Sequence, residues 1–125
     1  MTAPATVDHD PVNHPSHYLS HPSGIECIQI TRLLGFGLGN CVKYVWRRGD
    51  KGNPAQDLDK SLFYLKDGEH YAPEMRYVPA PAADLLYRAA SYERNPVAAE
   101  FYRSVADRRF LDVEDTLNAL RAELD

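Results

Sequence analysis

The sequence predicts an all-α fold: a small helical domain with an extended N-terminal arm, a helical hairpin and a C-terminal three-helix segment. Apolar residues recur at helical spacing through most of the chain beyond residue 22. Helix start signals, in which a capping residue is followed by proline or by an acidic or amide side chain, precede several of these stretches. No sustained strand pattern is present, and a short strand is expected at most at residues 75–78.

The N-terminal 22 residues are rich in proline and histidine and have no apolar period, which predicts an extended arm. Ser23 followed by Glu26 has the form of a capping box and predicts a first helix over about residues 24–34. The glycines at 35 and 37 end that helix.

A second helix is expected from about residue 38 to 48, with Gly49 as its stop signal. Asn53 and Pro54 fit the cap and the first position of a third helix, which should run to about residue 67. Because the two helices are joined by a short loop, we expect them to pack as a hairpin.

Residues 68–81 contain three prolines and no repeating apolar spacing, so they are interpreted as a linker. Three more helical patterns follow, at about 82–94, 96–108 and 113–124, the last two opened by Asn95 and Asp112. The predicted division is an arm (1–22), a helical domain that carries the site (23–67), a linker (68–81) and a C-terminal helical extension (82–125).

Composition restricts the class of protein. A chain of 125 residues with 44% hydrophobic content can build one ordinary core. It contains no apolar run of membrane-spanning length and no secretory signal pattern, so we expect a cytoplasmic protein without a membrane partner. Cys27 and Cys41 lie in apolar helical patterns and are expected to be reduced core thiols.

Charge is unevenly distributed. Residues 1–67 carry seven basic and seven acidic residues, whereas residues 68–125 carry seven arginines and eleven acidic residues. This balance argues against binding of duplex nucleic acid, which requires a field that attracts a polyanion. The local cluster at residues 43–51 is positive and suits a compact anion such as a nucleotide.

Polar residues on the two hairpin helices follow helical spacing. Asn40, Lys43 and Arg47 are spaced i, i+3 and i+7. A similar stripe on the third helix consists of Asp57, Lys60 and Tyr64. If the hairpin forms, both stripes converge on one edge and offer a phosphate-binding surface. The plainer alternatives are a solvated face at Lys43 and Arg47 and a surface ion pair between Asp57 and Lys60.

The arm contains His14 and His17, separated by Pro15, so the two imidazoles cannot share a helical face. Core packing does not explain such a pair. They are candidate donors to a phosphate, and since no Cys/His pair at metal spacing accompanies them, no structural zinc is expected.

Several of these residues together resemble one family. The matching motifs are Asn13-His14-Pro15-Ser16-His17-Tyr18, Gly24-Ile25-Glu26-Cys27-Ile28, Leu38-Gly39-Asn40, Lys43-Tyr44, Trp46-Arg47, Gly49, Asp57-Leu58, Lys60 and Tyr64-Leu65. Over about residues 10–67 they resemble the SaV-like phage family of unknown-function domain proteins, one of whose members is described as a phage nucleotide kinase without a Walker motif. Arg48 and Asp50 depart from the family pattern.

The resemblance implies nucleotide handling, and the residues are compatible with it. The glycines at 35, 37 and 39 lie between helices and lack the lysine of a phosphate-binding loop, so side chains would have to hold the phosphates. The predicted catalytic set is His14, His17, Lys43 and Arg47. The predicted substrate-binding set is Asn13, Tyr18, Asn40, Tyr44, Arg48, Lys51, Asp57, Lys60 and Tyr64.

The expected function is therefore that of a phage protein acting in the host cytoplasm as a Walker-less deoxynucleoside monophosphate kinase. Two alternatives stay open: a non-catalytic binder that sequesters nucleotides or cyclic nucleotide signals, and an all-α nucleotide pyrophosphohydrolase. The residues do not fix a cofactor, and Mg²⁺ bound with the nucleotide is one alternative. Because one small hairpin cannot enclose a nucleotide, we expect a homo-oligomer whose subunits share the site.

Overall fold

The computed structural model describes residues 21–50, 52–71 and 73–125. Within these ranges the chain forms helices and no strand, so the all-α prediction is confirmed. The elements are α1 (Cys27–Thr31), α2 (Phe36–Trp46), α3 (Pro54–Tyr71), a 3-10 helix (Pro73–Arg76), α4 (Ala80–Tyr92), α5 (Pro96–Ala106) and α6 (Phe110–Ala122). Five predicted site residues lie outside the described ranges: Asn13, His14, His17, Tyr18 and Lys51.

The first helix begins later than predicted. Glu26 is its N-cap, and its backbone N–H donates to Oε1 of Gln29 over 2.7 Å in a capping box. Ser23 instead accepts a hydrogen bond from the backbone N–H of Ile25. The reason is Gly24, whose φ of +78° is left-handed and keeps the preceding residues out of the helix.

Two of the predicted caps of the later helices are confirmed and one is wrong. Asn53 accepts from the Gln56 N–H at 3.0 Å, and Asn95 accepts from the N–H groups of Val97 and Ala98. Helix α6 starts at Phe110 instead of after Asp112, which lies in its first turn. An acidic residue in a first turn suits the helix dipole as well as a cap does, so the residue type alone does not distinguish the two positions.

The predicted linker is largely helical. Helix α3 continues through Gly68 to Tyr71, and the strand expected at residues 75–78 is wrong because the 3-10 helix includes Met75 and Arg76 and no strand follows it. Close packing explains both results. A Cβ atom on Gly37 would lie 3.0 Å from the Tyr64 carbonyl oxygen and 3.3 Å from the Gly68 Cα, and one on Gly35 would overlap the Glu74 backbone.

Helices α2 and α3 form the expected antiparallel hairpin on a single core that takes side chains from Ile25 through Leu120. Both cysteines are free and buried, as predicted. Burial raises the pKa of each thiol to about 12, even though Ser61 contacts Cys41. No helix in the described ranges is long and apolar enough to cross a membrane.

Candidate functional site

The α2–α3 hairpin brings the two predicted stripes together. Near its middle the Ser61 hydroxyl donates to the Cys41 carbonyl at 2.8 Å. Near the loop, the backbone N–H of Gly49 donates to Oδ2 of Asp57 at 3.1 Å. These two contacts, the first buried and the second partly buried, hold the helices in register, and the register places the residues of both stripes on one edge.

Five residues on that edge form what we call the basic cluster: Lys43, Tyr44, Arg47, Lys60 and Tyr64. The rings of Tyr44 and Tyr64 are parallel within 4°, with centroids 5.9 Å apart. Three cationic groups surround the Tyr44 ring: the Lys43 Nζ is 5.1 Å from its centroid, the Lys60 Nζ 5.4 Å and the Arg47 Cζ 5.6 Å. Each lies within the range of a cation–π contact.

The positive charge of this cluster is only partly compensated. Asp57 lies 3.7 Å from the Arg47 Nε and is buried, with its other oxygen bonded to Gly49. The Arg47 Nε is itself buried and makes no hydrogen bond within the described ranges. Over the same ranges Lys43 and Lys60 form no ion pair. One engaged carboxylate therefore faces three cations, and the arrangement favours a bound anion.

A groove adjoins the basic cluster at Lys43. It lies between α1 and α2, has a volume of about 310 Å³, and is lined by residues that include Ile28, Thr31, Phe36 and Asn40. The Asn40 amide donates to the Phe36 carbonyl at 2.9 Å, which fixes its side chain against the helix. We call this cleft the α1–α2 groove. Its walls are mainly apolar, and they include the amide of Asn40 and the hydroxyl of Thr31.

Arg48 points elsewhere. It lies in a second group, here called the anchor cluster, with His21, Trp46, Glu93 and Tyr102. Its Nη2 is 3.7 Å from Oε2 of Glu93, and the His21 Nε2 is 3.2 Å from Oε1 of the same carboxylate. The His21 ring stacks on Trp46 with centroids 4.4 Å apart.

The anchor cluster is compact and internally paired. Glu93 also accepts a hydrogen bond from the Asn95 backbone at 3.0 Å. Burial raises the pKa of Glu93. The hydrogen bonds from His21 and Asn95 and the charge of Arg48 together lower it by more than burial raises it, so the pKa of Glu93 lies below the ordinary value. Burial raises the pKa of the Tyr102 phenol. Its hydroxyl lies near Arg48 without a well-formed hydrogen bond to any described residue.

Sequence reasoning therefore located part of this arrangement. The structure brings together six predicted residues, Lys43, Tyr44, Arg47, Asp57, Lys60 and Tyr64, with Asn40 in the adjoining groove. It separates Arg48 from them, and it gives Asp57 a structural role as the clamp between Gly49 and Arg47. Sequence reasoning missed Phe36 and Phe63, each 61% exposed beside Tyr64. The sequence did contain a signal for Phe63, because this apolar residue directly precedes Tyr64 of the polar stripe.

Within residues 21–50, 52–71 and 73–125, no group of three His, Cys, Asp or Glu side chains is arranged to hold a metal ion. Two acidic side chains on α3, Asp57 and Asp59, make other contacts. Asp57 is described above, and Asp59 accepts a hydrogen bond from the Arg121 Nε at 3.1 Å.

Comparison with known proteins identifies one similarity. Residues 12–66 match the sequence profile of a family described as a protein of unknown function, DUF3310. The match covers the hairpin with the basic cluster and stops before the C-terminal helices. No curated protein and no solved structure matches the chain.

Proposed function

We propose that this protein binds nucleotides at the basic cluster and the α1–α2 groove. One observation carries the proposal: Lys43, Arg47 and Lys60 converge on one aromatic ring, and Asp57, the carboxylate beside them in the described part of the chain, is already engaged. Like charges that are held together without counter-charges repel one another, so a polyanion gains affinity from relieving that repulsion.

The two parts of the site suit the two parts of a nucleotide. The phosphates would contact Lys43 and Lys60, with Arg47 held in place by Asp57. Lys43 lines the groove as well, so a base and sugar in the groove would be continuous with phosphates on the cluster. Asn40 and Thr31 would contact the polar edge of the base. A volume near 310 Å³ is at the small end of ligand sites, which suits a mononucleotide.

As the specific activity we propose phosphoryl transfer to a deoxynucleoside monophosphate, in a protein of phage origin. The support is the resemblance of residues 10–67 to the SaV-like family, together with side chains of the type that neutralise phosphate charge. Phosphoryl transfer requires little covalent chemistry from the protein and much charge neutralisation. Lys43, Arg47 and Lys60 would provide it.

Nucleotide sequestration without catalysis is the second candidate. Asp57 is the carboxylate next to the cations, and both of its oxygens are engaged with Gly49 and Arg47. It is therefore poorly placed to accept a proton from an attacking hydroxyl. Asp57 is engaged in this way, and Asp59 pairs with Arg121. Neither carboxylate is therefore placed to bind the metal ion that a pyrophosphohydrolase requires.

Binding is tested by calorimetric titration of the purified protein with deoxynucleoside monophosphates and with ATP. We expect Lys43→Ala and Lys60→Ala each to weaken binding by about tenfold or more, since each removes a charge-assisted contact to phosphate. The matched control is Lys66→Ala, because Lys66 is on α3 too but bonds to Glu114 at 2.7 Å. If all three variants bound nucleotide with equal affinity, the proposal would be wrong and the basic cluster would be an ordinary solvated surface.

Catalysis is tested separately by incubating the protein with each monophosphate, ATP and Mg²⁺ and separating the products. New diphosphates that disappear in Lys43→Ala would support the kinase. Tight binding without new phosphorylated or hydrolysed species would support the sequestering protein instead.

We also propose that subunits of a homo-oligomer share the site. Phe36 and Phe63 expose apolar surface beside the basic cluster, where a second copy could cover it. Mixing His14→Ala chains with Arg47→Ala chains should then restore part of the binding or activity that each lacks. Mixed variants that recover nothing, or a monomer in light scattering, would refute subunit sharing and leave the nucleotide site itself untouched.

A further inference from the structure

A larger groove lies in the other half of the molecule, where no role has been assigned. It is formed by the end of α3, the 3-10 helix and the turn between α5 and α6, and its volume is about 730 Å³. Small-molecule sites typically occupy roughly 300 to 1,000 Å³. Its lining lies outside the basic cluster and, with the exceptions of Gly68 and Glu69 at the end of α3, beyond the hairpin. We call it the C-terminal groove.

One wall of the C-terminal groove is a guanidinium stacked on a ring. The Arg76 Cζ lies 4.3 Å from the centroid of Phe110, and its Nη2 is 3.4 Å from Oε2 of Glu69. The Arg76 Nε is buried and has no hydrogen-bond partner within the described ranges. Tyr77 and Val78 extend the wall with apolar surface. This wall therefore combines flat apolar surface with a guanidinium that Glu69 holds in place.

The opposite side carries Arg108, whose backbone is in the left-handed region with φ of +58°. This conformation caps the C-terminus of α5, because the backbone N–H of Arg108 donates to the Val105 carbonyl at 3.0 Å and that of Arg109 to the Ser104 carbonyl at 2.9 Å. The adjacent Arg109 pairs with Glu100, Asp107 and Asp112. Arg108 is exposed, lines the groove and forms no ion pair with any described residue, so its guanidinium is accessible to a ligand there.

Charge limits which ligand fits. Glu69 and Glu74 also line the C-terminal groove, so its net charge is balanced and it would not attract anions in general. Glu69 is engaged with Arg76, however, whereas Arg108 has no carboxylate partner among the described residues. An anionic group would have to be held by direct contact on that side, and the rest of the ligand would lie on apolar wall.

We propose that the C-terminal groove binds a small aromatic carboxylate. Its flat body would pack against Phe110, Tyr77 and Val78, and its carboxylate would accept hydrogen bonds from Arg108. A planar, bidentate carboxylate matches the fork of the Arg108 guanidinium. This proposal is independent of nucleotide binding at the basic cluster.

The test uses naphthalene-2-carboxylate as the probe and the uncharged naphthalene-2-carboxamide as its isostere. Calorimetry on the full chain should give the carboxylate at least about tenfold higher affinity. Arg108→Asn should remove that preference, because asparagine tolerates the left-handed backbone but lacks the guanidinium. Arg88→Gln, which removes an exposed arginine from α4, is the control for net charge and should change nothing.

Amide NMR spectra locate the probe. Shifts confined to residues around Arg76, Tyr77, Arg108 and Phe110 would support the site. Equal affinity for the carboxamide, unchanged binding in Arg108→Asn, shifts centred on Tyr44 and Tyr64, or no binding at millimolar probe would each overturn it.

Discussion

Arg47 and Arg48 are neighbours in sequence, yet they lie in opposite electrostatic surroundings. Arg48 joins the anchor cluster, where the buried carboxylate of Glu93 also bonds to His21 and the Asn95 backbone. Arg47 joins the basic cluster, where Lys43 and Lys60 add charge and Asp57 is the neighbouring carboxylate among the described residues. The charges of the anchor cluster are paired within the fold. Those of the basic cluster are paired only in part, and this difference is the physical reason for proposing a ligand there.

The comparison predicts that the two clusters respond differently to the loss of a carboxylate. Replacing Glu93 by alanine leaves Arg48 and His21 without their shared partner in a largely buried position. We expect the free energy of unfolding to fall by about 3 kcal/mol, the scale for breaking a buried charge-assisted network. Urea denaturation followed by circular dichroism measures it.

Glu100→Ala is the matched control for Glu93→Ala. Glu100 pairs with Arg103 and Arg109 but is 41% exposed, so its removal should cost less than about 1 kcal/mol. Similar losses in both variants would mean that the anchor cluster is no more than a surface network.

The anchor cluster should also confer a defined pH dependence. Because the pKa of Glu93 is lower in the folded state than its ordinary value of 4.5, the carboxylate stabilises the fold above that pH. The stabilisation is lost as the pH falls through the folded-state pKa. In urea denaturation, the stability difference between the wild type and Glu93→Gln should therefore shrink progressively below about pH 4.5. A difference that stays constant on acidification would show that the charge of Glu93 contributes nothing.

The same contrast explains which parts of the molecule the sequence predicts. The hairpin follows from local signals: the Asn53-Pro54 cap and two apolar stripes at helical spacing. Once both helices are placed, their polar stripes must lie on the same side, so Lys43, Arg47 and Lys60 could be grouped before any contact was known. Helix boundaries within a few residues followed from the same signals.

The anchor cluster could not be predicted in that way. His21 and Glu93 are 72 residues apart, and helical periodicity does not tell which distant residues meet. Arg48 comes after the end of α2, where Arg47 already leaves helical geometry with ψ of 4°, so helical spacing no longer gives the direction of its side chain. The C-terminal groove depends on the left-handed Arg108, for which the sequence carries no glycine or asparagine signal.

A smaller effect is expected where Asp57, the carboxylate beside the basic cluster, loses its charge. Asp57→Asn keeps an oxygen acceptor for the Gly49 N–H but makes the cluster more positive. Nucleotide affinity should rise by about twofold to fivefold, the size of one screened charge near a phosphate. Asp59→Asn removes the same charge from a more exposed position on α3, where it pairs with Arg121, and is the control in the titration. Weaker binding in Asp57→Asn alone would mean that the carboxylate itself contacts the ligand.

The smallest effect concerns the one polar group of the anchor cluster that lacks a good partner. The Tyr102 hydroxyl is fully buried near Arg48, and no described residue offers it a well-formed hydrogen bond. An unsatisfied buried hydroxyl costs stability, so Tyr102→Phe should leave the free energy of unfolding unchanged or raise it by up to about 1 kcal/mol. Phe101→Leu, at the adjacent buried position, is the control for altered packing and should be destabilising by about 1 kcal/mol. If Tyr102→Phe instead lost as much stability as Glu93→Ala, the hydroxyl would belong to the charge network, and Arg48 would be held by two groups instead of one.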